Sequence, residues 1–249
     1  MTAEPSPPSS PTPSSSETTT TTAPGGSAAI LAYLVPMFAF LLLTTLEGYA
    51  PPVEGKPNPS WYPLLYGLKV VIVSALAWYY RAAWRDFAPW PGAGKLALGA
   101  VSGFLVTGLW VGLDGHYPSL PFLGERTSFD PGVLSPAGKW TFLTVRMLGL
   151  VILVPVIEEL FWRSFLMRWV IENDFERVPI GHVTPVAAAV TSICFALAHP
   201  EWLPALLTGL LWAWLLHTTR SLSVCLASHA VANLALGLHV LATGEWKYW

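Results

Sequence analysis

The chain has 249 residues, 53% of them hydrophobic and 11% charged, with a net charge of −2. Soluble domains carry about 25% charged residues, so the composition excludes an ordinary soluble domain and points to a polytopic membrane protein. The near-neutral balance gives no reason to expect nucleic acid or a polybasic lipid patch as a partner. Cys194 and Cys225, both in apolar runs, make neither a secreted disulfide framework nor a zinc knuckle.

Residues 1–27 are rich in Pro, Ser and Thr, with too little apolar surface to order themselves, and are expected to be disordered. They contain no Lys or Arg, so they are not the start of a signal peptide. Apolar runs long enough to span a bilayer follow at 28–46, 61–80 and 95–113. A polar, Pro- and Gly-rich loop covers 114–138. The run at 139–170 exceeds one crossing, and Pro155, which lacks a backbone donor, is expected to kink or break it just before Glu158 and Glu159. Further spans are read at 184–199, 202–217 and 222–242. The expected fold is all-α, a polytopic membrane helix bundle of about seven to eight transmembrane helices. It divides into the tail (1–27), N-terminal helices with their loop (28–135) and a C-terminal part (136–249) that holds the chemistry.

Gly99, Gly103 and Gly108 predict close helix packing. Trp202, Trp212, Trp214, Trp246 and Trp249 are expected for the most part to face lipid or the interface. Lys and Arg in short loops set orientation. Arg81, Arg85, Lys95, Arg168, Arg177 and Arg220 fall on the side of the N-terminal tail, against Lys56, Arg126, Lys139 and Lys247 on the other. That bias predicts a cytoplasmic N-terminus, with Glu158 nearer the cytoplasmic end of its helix.

Glu158 and Glu159 lie in the most apolar part of the chain, where a carboxylate is costly and therefore a functional candidate. Glu159 and Arg163 are spaced i, i+4 with the acid first, the favourable order for a helical ion pair. Glu158 points about 100° away around the helix, free to face a cavity and act as a general base on water. The bland alternative is a structural Glu-Arg-Glu staple between helices. A second cluster is Phe195 to His199, where His199 alone reads as a helix-end histidine. The third is Ser228 to Asn233, in which His229 and Asn233 share a helical face and could be interhelical glue. Taken together, Glu158, His199, His229 and Asn233 are the set needed to activate water and stabilise an oxyanion. Glu158, His199 and His229 could also ligate Zn2+, since Glu and two His with an open position are standard zinc ligands.

These clusters read EELFWR, FALAH and HAVAN. In that order, each inside a hydrophobic helix, they resemble the motifs of the CPBP family, the CAAX proteases and bacteriocin-processing membrane proteins also called the Abi family. The stretch around HPEWLPALL and the C-terminal ATGEWKYW are similar to the branch that accompanies exosortase systems. The resemblance implies an intramembrane endopeptidase of a bacterial inner membrane that cleaves a membrane-associated protein or peptide. It implies Glu158 as the base, His199 as the residue that holds water, and His229 with Asn233 as the oxyanion site. Glu159, Arg163 and Phe195 would shape that site. Two other readings stand beside it. Cys225 lies four residues before His229 and could form a cysteine peptidase. Intramembrane acids also serve non-enzymatic immunity or scaffold proteins and proton-coupled transporters.

Overall fold

The computed structural model describes residues 1–2, 26–124, 126 and 128–249, so the tail reading falls, apart from its edges, outside the described residues. The fold is an all-α membrane helix bundle. Its helices are α1 (Gly26–Glu47), α2 (Tyr62–Tyr79), α3 (Ala93–Gly112), α4 (Pro136–Ile171), α5 (Pro185–Leu197), α6 (Trp202–Thr219) and α7 (Leu222–Thr243). Among the described residues, five of them (α1 to α4 and α7) are long and apolar enough to cross a membrane. The span read at 184–199 is a shorter helix of 13 residues. The span read at 202–217 is an 18-residue helix whose Trp, Pro and His dilute its hydropathy.

Local chemistry sets several ends. Ser135 caps α4 through Gly138 N at 3.2 Å, with Pro136 at the first helical position. Thr184 caps α5 in the same way through Ala187 N at 3.2 Å, ahead of Pro185. Gly244, with φ 74°, ends α7 in the left-handed conformation that glycine adopts without a Cβ penalty.

Of the kink or break expected at Pro155, the break does not occur. α4 runs 36 residues without interruption, but it is wound wider at Gly149–Leu153 and again at Leu160–Leu166, where it is π-helical. In the first of these turns Val154 N donates to the carbonyl of Gly149, five residues back. The next bond in that series would need the missing N–H of Pro155, which leaves the Leu150 carbonyl without a donor. Asn233 supplies one, its Nδ2 donating to Leu150 O at 2.7 Å. A side chain from α7 thus repairs the ladder, and the helix passes through the proline.

The most extensive packing joins α3 to α7. A Cβ at Gly99 would lie 2.7 Å from the Val224 carbonyl, and one at Gly103 would lie 2.5 Å from the Ser228 carbonyl. These two glycines are therefore the close-packing positions expected of them. Gly108 has open space and takes no part. At the same seam Ser228 Oγ accepts from Trp212 Nε1 at 2.8 Å and lies 2.9 Å from Ser102 Oγ.

Side-chain contacts sort the connections into two faces. Asp86, Arg168, Thr219, Gly181 and Phe87 meet partners near the start of α1 and the ends of α4 and α6. On the opposite face Arg126 pairs with Glu201 at 2.6 Å, Trp202 Nε1 donates to Pro118 O at 2.9 Å, and Lys247 reaches Asp114 at 2.5 Å. The first face carries Arg81, Arg85, Arg177 and Arg220; the second is the one toward which the cavity described next extends.

Candidate active site

Glu158, His199, His229 and Asn233, from three separate segments of the sequence, line one cavity of about 330 Å³. That volume lies in the range of small ligand pockets. Its wall at this end is completed by Phe195, Trp212, Thr208 and Trp110. Although Glu158 is nearer the Ile171 end of α4 by count, the cavity extends from it toward Glu47, Tyr62, Arg126, Pro200 and Trp249. It therefore lies toward the face opposite the start of α1.

The two glutamates are treated differently. Glu159 is fully buried, and its Oε1 accepts from Arg163 Nη1 at 3.3 Å and pairs with His229 Nδ1 at 2.9 Å. The Arg163 guanidinium is itself clamped between the rings of Phe195 and Trp212, 4.6 and 4.7 Å away. Glu158 is 5% exposed, faces the cavity, and makes no hydrogen bond or ion pair among the described residues. The division read from the sequence, one acid paired and one free, therefore holds. What the sequence did not give is that Glu159 also holds a histidine from 70 residues downstream.

Each ring nitrogen has a distinct task. His199 Nδ1 donates to the Phe195 carbonyl at 2.7 Å, because a carbonyl can only accept. In the neutral ring Nε2 then carries the lone pair, free to accept a hydrogen bond from water. The ring is held by Phe195 at 4.5 Å between centroids and Trp110 at 5.7 Å. His229 Nδ1 is committed to Glu159, which leaves Nε2 as its free ring nitrogen. A donor at Nε2 requires the doubly protonated ring. Trp212 stacks on the His229 ring at 4.4 Å and 30°. Asn233 spends one amide hydrogen on Leu150 O and keeps the other.

Several expectations change here. Trp212 and Trp249 are not interfacial anchors but 2% and 3% exposed walls of the cavity. Trp212 lies one helical turn from Thr208, which accepts from Trp110 Nε1 at 3.2 Å, so this face of α6 looks inward. Cys225 does not line the cavity, and its thiol donates to the Trp212 carbonyl at 3.5 Å rather than to His229. The cysteine-peptidase arrangement is therefore not formed. Among the described residues no group of three His, Cys, Asp or Glu side chains is placed to hold a metal. Glu158, His199 and His229 share a cavity without converging as a zinc ligand set.

Sequence reading also passed over Lys69 and Arg146, charged residues in apolar runs that line the far part of the cavity. Their signal was the same one that drew attention to Glu158, an ionisable group at membrane depth.

No curated protein and no solved structure matches the chain. Residues 140–235 match the family model described as type II CAAX prenyl endopeptidase Rce1-like. The match starts at the entrance to α4, runs past Asn233, and takes in all three motif clusters, so this part of the chain is similar to that family.

Proposed function

We propose that the protein is a glutamate-dependent intramembrane endopeptidase, with Glu158 as the general base. The observation that carries this reading is that Glu158 is the unpartnered acid of a cavity it shares with His199, His229 and Asn233. A water molecule accepts a hydrogen bond from neither neighbour but donates one to Glu158 and one to His199 Nε2. As its oxygen attacks the scissile carbonyl, Glu158 takes the proton. The negative charge that forms on the carbonyl oxygen is met by His229 Nε2–H and the second amide hydrogen of Asn233. Glu158 then returns its proton to the leaving amine, which restores the carboxylate.

The Rce1-like match supports a protein substrate and a membrane setting. The substrate is a membrane-associated peptide, either lipidated near its C-terminus or anchored by its own apolar segment. The mechanism is tested on the purified chain with a prenylated peptide ending in cysteine and three further residues, and with an apolar membrane-anchored peptide. Cleavage of either by the parent and its loss in Glu158→Gln supports the reading. Cleavage by Glu158→Gln at the parental rate rejects it.

A further inference from the structure

The cavity continues away from Glu158 along a stripe of α4, Val154, Leu150 and Arg146. These positions recur every four residues, and the wide π-helical turn at Gly149–Leu153 helps keep them on one face. Arg146 is 7% exposed. Its Nη1 donates to the Tyr62 hydroxyl at 3.1 Å, and its Nε is buried with no partner among the described residues. The guanidinium lies 4.8 Å from the Tyr66 ring centre and 5.5 Å from that of Trp249. Among the described residues it makes no ion pair with any carboxylate.

The nearby charges do not compensate it. Glu47 is taken by Lys69 at 2.6 Å, and Arg126 is taken by Glu201 at 2.6 Å. Of the Lys and Arg side chains that line this end of the cavity, Arg146 is the one with no ion-pair partner among the described residues. A buried charge without a counter-ion is costly, and a planar guanidinium with free donors suits a carboxylate above other groups.

We infer that Arg146 binds a carboxylate of the peptide that occupies the cavity, which makes it a substrate-anchoring residue rather than a catalytic one. This rests on the proposed peptide occupant. Arg146 and Glu158 are twelve residues apart, about 18 Å along a helix axis. An extended peptide covers about 3.3 Å per residue, so the anchored carboxylate lies within about five residues of the scissile bond. The enzyme then measures its cut from an acidic end. The carboxylate comes from the peptide C-terminus or from an Asp or Glu side chain near it.

Binding is measured in the full chain carrying Glu158→Gln, so that cleavage plays no part and a failure of the Glu158 mechanism leaves the result readable. The probe is a fluorescent S-prenylated peptide ending in cysteine and three apolar residues. It is used as the free acid, as the C-terminal amide, and as an amide with glutamate in the last position. The free acid is expected to bind at least tenfold tighter than the amide. Recovery of affinity by the glutamate-bearing amide assigns the site to any nearby carboxylate, and no recovery assigns it to the C-terminus. Arg146→Met is expected to erase the acid-over-amide preference without lowering the melting temperature, and Arg146→Lys to keep part of it. Equal affinity for acid and amide in the parent, no binding of either, or a preference that survives in Arg146→Met overturns the inference.

Discussion

α4 passes through two buried polar clusters, and the chain closes one and leaves the other open. Near its C-terminal end Asp86 accepts from Tyr33 at 2.8 Å and from Arg168 at 2.8 Å, and also from Ser164. Arg168 further bonds Ser164 and the carbonyl of Val178. Neither Asp86 nor Arg168 lines the main cavity. Along the middle of the same helix Glu158 has no partner among the described residues, Arg146 has a buried Nε with none among them, and both face the cavity. Burial and charge are common to the two clusters. What separates structure from function is valence: a closed network holds helices together, whereas an unsatisfied group in a native cavity needs an explanation outside the protein.

That contrast makes opposite predictions for the two ends. In the open cluster, Glu158→Gln should lower the cleavage rate by roughly 10²–10⁴-fold, the usual worth of a general base, with the melting temperature unchanged. In the closed cluster, Asp86→Ala should cost about 3–5 kcal/mol of stability, because it strands the buried Arg168. The fraction that remains folded should cleave normally. Denaturant titration in detergent, paired with a rate per folded molecule, separates the two effects.

Asn233 stands between the clusters in kind, since it serves both the helix and the cavity. Asn233→Leu leaves the Leu150 carbonyl unpaired and should cost about 1–3 kcal/mol. It should also lower turnover by more than that loss of stability explains. Equal stability of parent and variant would break the account of how α4 passes Pro155.

The smallest expected effect concerns the C-terminal wall. Asp114 accepts from Lys247 at 2.5 Å and from Tyr248 at 2.9 Å. The Lys247 hydrogen bond, first among its influences, holds the Asp114 carboxyl below its ordinary range. A depressed acid stabilises the folded state above its unfolded pKa and loses that contribution as pH falls through the folded one. The clamp should therefore hold at neutral pH and loosen only in strongly acidic solution, and because it is solvent-exposed the change should be slight. Trp246 and Trp249 fluorescence against pH, compared with Asp114→Asn, reads it.

Much of the site was legible from spacing. The i, i+4 relation of Glu159 to Arg163 forces them together on any helix, which frees Glu158. The relation of His229 to Asn233 puts both on the cavity face of α7. The rest depended on contacts that no local pattern encodes. The pairing of Glu159 with His229 joins α4 to α7, and the repair of Leu150 by Asn233 follows from a π-helical turn that the sequence does not announce. Trp212 was misplaced because tryptophan is common at membrane interfaces, while here its Nε1 has an internal acceptor in Ser228. Arg146 and Lys69 were visible as charges in apolar runs, but no motif named them.

The central claim is that the free glutamate works and the paired one holds. It is tested most directly by measuring the cleavage rate and melting temperature of Glu158→Gln and Glu159→Gln side by side. The account predicts an inactive Glu158→Gln as stable as the parent, and a Glu159→Gln that is less stable because Arg163 and His229 lose their shared acid. A Glu158→Gln that cleaves at the parental rate, or one that loses stability as Glu159→Gln does, would contradict it.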